Sequence, residues 1–337
     1  MAALWATARE FVSAEVMKPV EAQLAVAEVS EPPKPQEITL LFVGDIMAHL
    51  PQVESARRGE EQFDFYPHLE GVAQLFGSAD FVVGNLETTL TPRPPYCGYP
   101  AFATPEELAA DMRRVGFDLV TLANNHIADC GVEGALATMA ALDNHSIDHL
   151  GVAVPSVMVG ECGVRVVDIE GFRVGFFAAT YGINGPLPRG MELSLTDTVA
   201  MARRLDALTQ RVDCLVALVH WGEEYARRES ARQRRVAKWL RSRGVDVVVG
   251  SHPHVVQPSE VWHNEAGESV GGVYYSLGNF ISNQNSPHTD CGLAARVRLT
   301  RMADGEVAVA LGADTLRRVR HIGPEHTSYG VEVVGDN

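Results

Sequence analysis

The stretch Val247–Pro258, VVVGSHPHVVQP, joins an apolar run to two closely spaced histidines. The run Val245–Val249 has the length and β-branched content of a buried strand, and Gly250 ends that run. His252 and His254 follow at alternate positions. Residues two apart in extended backbone point to the same side, and Pro253 favours an extended conformation at His252. We therefore predict that both imidazoles face one site beyond the carboxyl end of a buried strand.

Four other predicted strand ends carry the same kinds of side chain. They are GDIMAH at 44–49, GNLE at 84–87, ANNH at 123–126 and VHWG at 219–222. Open α/β sheets place ligand sites at the carboxyl ends of their strands, so we expect these ends to meet at one metal centre. The candidate ligands are Asp45, His49, Glu87, Asn125, His220, His252 and His254, and His126 is a candidate acid.

Each of these residues also has an ordinary structural explanation when it is taken alone. Asp45 after a glycine can cap a turn or helix, and Asn125 can be a left-handed turn residue. The combination at five strand ends favours a functional site. Two adjacent ions need a bridging carboxylate, neutral nitrogen ligands and open positions for water and substrate. We predict two divalent transition-metal ions, and mixed nitrogen and oxygen ligation leaves manganese, iron and zinc all open.

Length and charge restrict the class of protein and its partners. The 337 residues, 46% hydrophobic and 21% charged, suit a soluble globular protein with one large α/β domain or two modest ones. The net charge of −15 argues against a nucleic-acid groove and against docking on anionic lipid. We expect no transmembrane segment, because no apolar run is long enough, and the N-terminus lacks the features of a signal peptide. The compartment stays open.

The cysteines carry little information on function. All five are scattered, and none lies in a CxxC pair. Structural zinc and a disulfide framework are therefore not expected, although a single bridge that involves Cys97 stays open.

Hydrophobic patterning divides the chain into three parts. Residues 1–29 are predicted to form an amphipathic helix, with disorder as the alternative, and residues 31–37 a proline-rich linker. Residues 313–337 are an unassigned tail. Residues 38–312 form the core domain. We predict helices at 67–78, from Thr104 as cap to about 115, 132–144, 195–210 and 229–243, and a β-hairpin over 164–180. Strand–helix alternation followed by strands alone predicts an α/β sandwich with mixed sheets.

The motifs GDIM, GNLE, ANNH, HWG and GSHPH, in this order, resemble the bacterial capsule-synthesis CapA family, or poly-γ-glutamate biosynthesis proteins. That family is similar to the calcineurin-like metallophosphoesterases. The similarity runs from about residue 38 to 299, and SLGNF at 276–280 is one of the similar segments within that range. It implies a metallophosphoesterase-like sandwich of two mixed β-sheets flanked by helices.

The resemblance also implies a role for each candidate residue. Asp45 and His254 would belong to the first ion, and Asn125 and His252 to the second. Glu87 would bridge the two ions, His220 would complete the ligand set and His126 would be the neighbouring acid. Two features depart from the usual metallophosphoesterase pattern. Three residues separate Asp45 from His49 where Asp-x-His is usual, and the bridging position is Glu instead of Asp.

The expected function is a dinuclear-metal hydrolase of phosphoesters in capsule or poly-γ-glutamate metabolism. Two alternatives stay open, namely a non-catalytic metal-containing assembly or polymer-binding factor, and a γ-glutamyl amide hydrolase or transferase. The expected partners are a phosphoester or polyglutamate-type substrate and the capsule or polyglutamate synthesis machinery, with no nucleic acid. The resemblance implies the cell envelope as the location.

Overall fold

The computed structural model describes residues 36–155, 162–322 and 327–335. The predicted N-terminal helix and most of the proline-rich linker lie outside these ranges. The strands are β1 (Glu37–Ile46), β2 (Phe81–Leu86), β3 (Leu90–Thr91), β4 (Thr104–Pro105), β5 (Leu119–Thr121), β6 (Asp148–Leu150), β7 (Val152–Ala153), β8 (Val164–Ile169), β9 (Phe172–Thr180), β10 (Glu192–Leu193), β11 (Cys214–His220), β12 (Val247–Ser251), β13 (Ser259–His263), β14 (Ser269–Tyr274), β15 (Asn279–Ile281), β16 (Cys291–Arg301), β17 (Val307–Ile322) and β18 (Thr327–Val333). The helices are α1 (Leu50–Ala56), α2 (Tyr66–Leu69), α3 (Ala73–Phe76), α4 (Glu107–Val115), α5 (Gly131–Asn144), α6 (Thr198–Thr209) and α7 (Ala231–Arg241), with a 3-10 turn at Glu70–Val72.

Two mixed sheets form the centre of the structure. The first has the strand order β6-β5-β2-β1-β16-β17, with β15 beside β1 and β18 beside β17. The second has the order β8-β9-β11-β12-β14, with β13 on the far side of β14. A single pairing of Val270 with Val309, between β14 and β17, joins them into one continuous ladder.

The alternation of side chains along the strands explains why the two sheets stack. Leu40 and Phe42 of β1 pack in the same cluster as Val216 and Leu218 of β11, between the sheets. Their neighbours along each strand point outward, towards α1–α5 on the first sheet and α6 and α7 on the second. The rings of Phe81 and Phe176 stack across the interior, with centroids 5.7 Å apart. This confirms the predicted sandwich of two mixed sheets flanked by helices.

Three predicted elements or boundaries differ from the structure. The limit at residue 312 falls inside β17, which pairs with β16 and β18 along residues placed in the tail. The ADGE turn at 303–306 leads into the long strand β17. Charged residues on the outer face of this strand interrupt its apolar pattern, so the sequence alone does not show how far the strand extends. Thr104 does not cap a helix but belongs to β4, and α4 begins at Glu107 after Glu106. The predicted helix at 67–78 is broken into α2, a 3-10 turn and α3.

Parallel pairing brings the polar strand ends together. β1, β2 and β5 run parallel in the first sheet, as do β9, β11 and β12 in the second. The carboxyl ends of parallel strands meet at one edge, where open α/β sheets bind ligands. Gly44 allows the end of β1 to approach the backbone of Gly278 closely, because a Cβ atom at residue 44 would lie 1.8 Å from the carbonyl oxygen of Gly278. Asp45 N donates to that same oxygen at 3.0 Å.

Candidate metal centre

Asp45 lies near the end of β1, completely buried, with both carboxylate oxygens in use. Oδ1 accepts a hydrogen bond from Asn85 Nδ2 at 2.7 Å, and Oδ2 accepts one from His254 Nδ1 at 2.9 Å. The backbone N–H of His252 also points at this carboxylate, 3.3 Å from Oδ2. Asp45 therefore connects the end of the first sheet to the segment after β12.

Glu87 directly follows β2 and is also completely buried. Its Oε2 accepts from Asn85 Nδ2 at 3.1 Å, but Oε1 has no hydrogen-bond partner. Oε1 lies 3.6 Å from His220 Nε2 and 3.9 Å from His254 Nε2. Burial, and next the neighbouring Asp45 carboxylate, raise the pKa of Glu87 well above its usual value. A buried carboxylate oxygen without a partner is costly, and a bound cation would remove that cost.

His252 and His254 converge as predicted, but their backbone is not extended. β12 ends at Ser251, and the two histidines have φ angles of 96° and 58°, in the left-handed region. The prediction of extended backbone from Pro253 is therefore wrong, because the chain turns directly after the strand. The ring centroids are nonetheless 5.9 Å apart. Positive φ at two non-glycine residues is strain of the kind that concentrates at functional sites.

His220 is the last residue of β11, and its imidazole contacts side chains at or just after the ends of strands of both sheets. Its Nε2 is 2.9 Å from Asn125 Oδ1, and its Nδ1 is 3.0 Å from Ser251 Oγ. Burial, reinforced by the neighbouring His252, lowers the pKa of His220 well below its usual value. Burial likewise lowers the pKa of His252 to about 4, and His252 Nδ1 is buried without a partner. Both imidazoles are thus held in the neutral form, which is the form that binds metal.

Two groups of three side chains have the spacing of metal ligands, and both contain Glu87. One group is Asp45, Glu87 and His220, and the other is Glu87, His252 and His254, with ligand atoms within 4.8 Å of one another. Ligand atoms that share one ion at about 2.1 Å lie roughly 3–3.5 Å apart, so these atoms would move closer together around an ion. Imidazole nitrogens and carboxylate oxygens are donors that suit transition-metal ions. The resemblance implied a different division, with His254 beside Asp45 on one ion. The His254–Asp45 contact fits that division as well.

His126 follows Asn125 and differs from the other histidines in its partners. Its Nδ1 donates to Asp129 Oδ2 at 2.7 Å, and Asp129 also accepts from the backbone N–H of Phe102 at 2.7 Å. Asn184 Nδ2 lies 3.4 Å from His126 Nε2. A carboxylate on Nδ1 fixes the ring and its tautomer, so that Nε2 is the nitrogen available for proton transfer.

His49 is not part of either three-residue group. It is the N-cap residue of α1, its Nδ1 accepts from the backbone N–H of Asn283 at 3.2 Å, and its ring packs edge-on against Phe102. Burial lowers its pKa to about 4. In the structure its contacts are those of a capping and packing residue.

Sequence reasoning missed several polar residues that hold the site together. Asn85 contacts Asp45 and Glu87, and Asn124 donates to Asn85 Oδ1 at 3.3 Å and to Leu86 O at 2.7 Å. Asn85 lies in the GNLE motif and Asn124 in the ANNH motif. Asn85 is two residues before Glu87, a spacing that places both side chains on the same side of an extended chain. Tyr181 and Asn184 lie in no motif, and only the structure brings them to the site.

Two further predictions concern cysteines and membranes. All five cysteines are free, so Cys97 forms no bridge. None of the helices in the described residues is long and apolar enough to cross a bilayer.

Comparison with known proteins identifies the family. The model of the family described as bacterial capsule synthesis protein PGA_cap matches residues 39–284. The chain belongs to this family. It is 30% identical over 268 residues to the capsule biosynthesis protein CapA of Bacillus anthracis, covering 75% of this chain and 62% of that protein. It is 26% identical over 287 residues to the PGA biosynthesis protein CapA of Bacillus subtilis strain 168, covering 80% and 69%.

A solved structure supports the fold. A candidate 5'-nucleotidase from Staphylococcus aureus, in complex with alpha-ketoglutarate, superimposes with a TM-score of 0.54 at 14% sequence identity. The match covers 89% of this chain and 55% of that chain. This chain therefore shares its fold with that 5'-nucleotidase.

Proposed function

We propose that this PGA_cap-family protein is a dinuclear-metal hydrolase that cleaves phosphoesters in capsule or poly-γ-glutamate metabolism. The observation that carries the proposal is the position of Glu87, a fully buried carboxylate that belongs to both groups of candidate ligands. A carboxylate shared by two groups of imidazole and carboxylate ligands is the arrangement that a pair of adjacent ions requires. The names of the relatives support the biological setting, at the cell envelope and beside the capsule synthesis machinery.

The proposed ligands are Asp45, Glu87, Asn125, His220, His252 and His254, with His49 as a peripheral candidate. When bound, two divalent transition-metal ions supply Lewis acidity at the phosphoryl oxygen and make water more acidic. Manganese, iron and zinc all suit these donors. Asn85 holds Asp45 and Glu87 in place through one amide group. Ser251 orients His220 through Nδ1, which leaves Nε2 directed at Asn125 and Glu87.

Proton transfer to the leaving group is assigned to His126. Asp129 accepts the hydrogen of Nδ1, so it fixes the tautomer of the ring and leaves Nε2 for the leaving group. Asn184 Nδ2 lies 3.4 Å from Nε2, the nitrogen that would deliver the proton. The ring of Phe102 lies edge-on to His126, with centroids 4.8 Å apart, and limits rotation of the imidazole.

The test combines metal analysis with a substrate panel on the purified protein. The proposal predicts close to two equivalents of transition metal per chain and turnover of phosphomonoesters or phosphodiesters that stops after chelation. A panel of γ-glutamyl peptides is assayed on the same preparations. Release of glutamate oligomers without phosphate would replace the proposal with an amide hydrolase. Two bound metals without turnover of any substrate would replace it with a non-catalytic assembly factor.

A further inference from the structure

A cavity of about 310 Å³ opens beside the candidate metal centre. Its floor is Trp221 and Gln233, and its walls include Tyr181 at the end of β9 and the first turn of α7. The floor is held rigidly, because Trp221 Nε1 donates to Tyr275 O at 2.9 Å and Gln233 Nε2 donates to Gln257 Oε1 at 2.8 Å. A cavity with such a floor exists before any ligand enters, as ligand pockets usually do.

Tyr181 connects the cavity to the metal centre. Its ring lies parallel to that of His220, with centroids 6.1 Å apart, and contacts the ring of His252 at 4.7 Å. It is 43% exposed, so one face touches the candidate ligands while the rest borders the cavity. A substrate whose reacting bond lies at the imidazoles would therefore extend past Tyr181 into the cavity.

Two opposite charges line this cavity. Arg232, in the first turn of α7, and Glu223, in the segment after β11, both border it and both are exposed. Within the described part of the chain, neither side chain has an ion-pair partner, whereas Arg234 of the same helix pairs with Glu229 at 2.8 Å. The amino-terminal end of α7 adds a positive partial charge on the side of Arg232.

We infer that this cavity binds an α-amino acid group of the substrate, with its carboxylate at Arg232 and its ammonium group at Glu223. A ligand that carried only an anion would leave Glu223 to repel it, and one that carried only a cation would be repelled by Arg232. A zwitterionic group satisfies both side chains, and the faces of Tyr181 and Trp221 accommodate its aliphatic carbons. The inference deepens the proposed function, on which it rests only in placing the reacting bond at the metal centre.

Isothermal titration calorimetry of the full chain as purified tests this inference with two probes, L-glutamate and glutarate. They share a carbon skeleton of the same length and two carboxylates, and glutarate lacks the ammonium group. L-Glutamate should bind more tightly than glutarate, by up to about fivefold, since a single exposed charge pair contributes about 0.2–1 kcal/mol. Equal affinities, or no heat with either probe, would overturn the inference.

Matched variants locate the binding site. Arg232→Ala should weaken both probes by up to about fivefold, and Glu223→Gln should weaken only L-glutamate. Arg235→Ala removes the same charge from the same helix but does not border the cavity, so it should bind both probes like the parent. A loss with Arg235→Ala equal to that with Arg232→Ala would show general attraction to α7 and sink the inference. Metal content and p-nitrophenyl phosphate turnover of the parent protein report separately on the proposed hydrolase, so the two ideas fail independently.

Discussion

Glu87 Oε1 lies 3.6 Å from His220 Nε2, and both side chains are fully buried. Burial acts on the two groups in opposite directions, since it raises the pKa of Glu87 and lowers the pKa of His220. Each group is thereby driven towards neutrality, and Glu87 Oε1 is left without a hydrogen bond. A divalent cation reverses this penalty for the carboxylate and binds the neutral imidazole, so the pair favours metal binding.

Glu87→Gln should lower the metal content at both sites together. The substitution preserves the shape of the side chain but removes the only charge that both three-residue groups share. Inductively coupled plasma mass spectrometry of dialysed protein should therefore find both equivalents lost. Asp111→Asn is the matched control, because Asp111 is a buried carboxylate that belongs to neither group of candidate ligands. Its Oδ2 accepts a hydrogen bond from the backbone N–H of Phe65 at 2.7 Å. Retention of one full equivalent in Glu87→Gln would argue against a shared carboxylate.

Much of the architecture is predictable from the sequence because each sheet is patterned by alternation. β1 and β11 each direct alternate apolar residues inward and outward, and their polar ends fall just after the apolar runs. Parallel pairing then makes the meeting of Asp45, Glu87 and His220 at one edge an expected consequence. The hairpin over 164–180 is confirmed as β8 and β9, with its turn at Glu170 and Gly171.

The details that sequence could not supply depend on tertiary contacts. His252 and His254 adopt positive φ because the chain reverses against Asp45, and no local propensity encodes that reversal. Tyr181 and Asn184 follow β9 in a loop without a motif, and their approach to His252 and His126 is set by the packing of β9 beside β11. The position of His49 at the start of α1 likewise depends on the course of a loop after β1.

His252→Ala and His254→Ala should each lower metal occupancy and leave the fold intact. Both residues follow β12 and lie at the rim of the sheets, so neither fills the apolar core between them. Metal content is measured beside the far-ultraviolet circular dichroism spectrum, which should match that of the parent. His263→Ala replaces an exposed histidine on β13 and should retain both metals. Full metal content in either site variant would exclude that histidine from the ligand set.

His68 should make the protein sensitive to acid. Burial lowers its pKa to about 4, while the unfolded chain has the ordinary value near 6.5. Below pH 6.5 the unfolded state therefore binds a proton that the folded state excludes, so this contribution to stability is present above that pH and lost as the pH falls towards 4. Between pH 7 and 5 the loss amounts to about 2 kcal/mol from this one group.

His68→Gln should reduce the acid sensitivity by that amount, because glutamine does not titrate and can keep a hydrogen bond to Ser55 Oγ, 2.9 Å from His68 Nε2. Urea unfolding at pH 7 and pH 5 measures the difference for both proteins. His263→Gln, at an exposed position, should lose as much stability on acidification as the parent. An unchanged loss in His68→Gln would show that His68 is not the source of the acid sensitivity.

The His126→Ala variant tests whether His126 is a general acid or a metal ligand. The proposed acid donates to a leaving group through Nε2 and is oriented by Asp129 at 2.7 Å, so its removal should leave both metals bound. A general acid contributes about 10²–10⁴-fold, and its effect grows with the need of the leaving group for a proton. Turnover of alkyl phosphates should therefore fall by about that factor, while p-nitrophenyl phosphate, with its activated leaving group, should lose about tenfold or less.

The comparison requires metal content and both substrates on the same preparations of His126→Ala and His252→Ala. His252→Ala should lose the two activities together, because loss of a ligand affects every substrate equally. An equal loss on both substrates in His126→Ala, with both metals retained, would reassign His126 to stabilising transition-state charge. Loss of metal from His126→Ala would make it a ligand, and Asp129 would then be the carboxylate that orients a ligand imidazole.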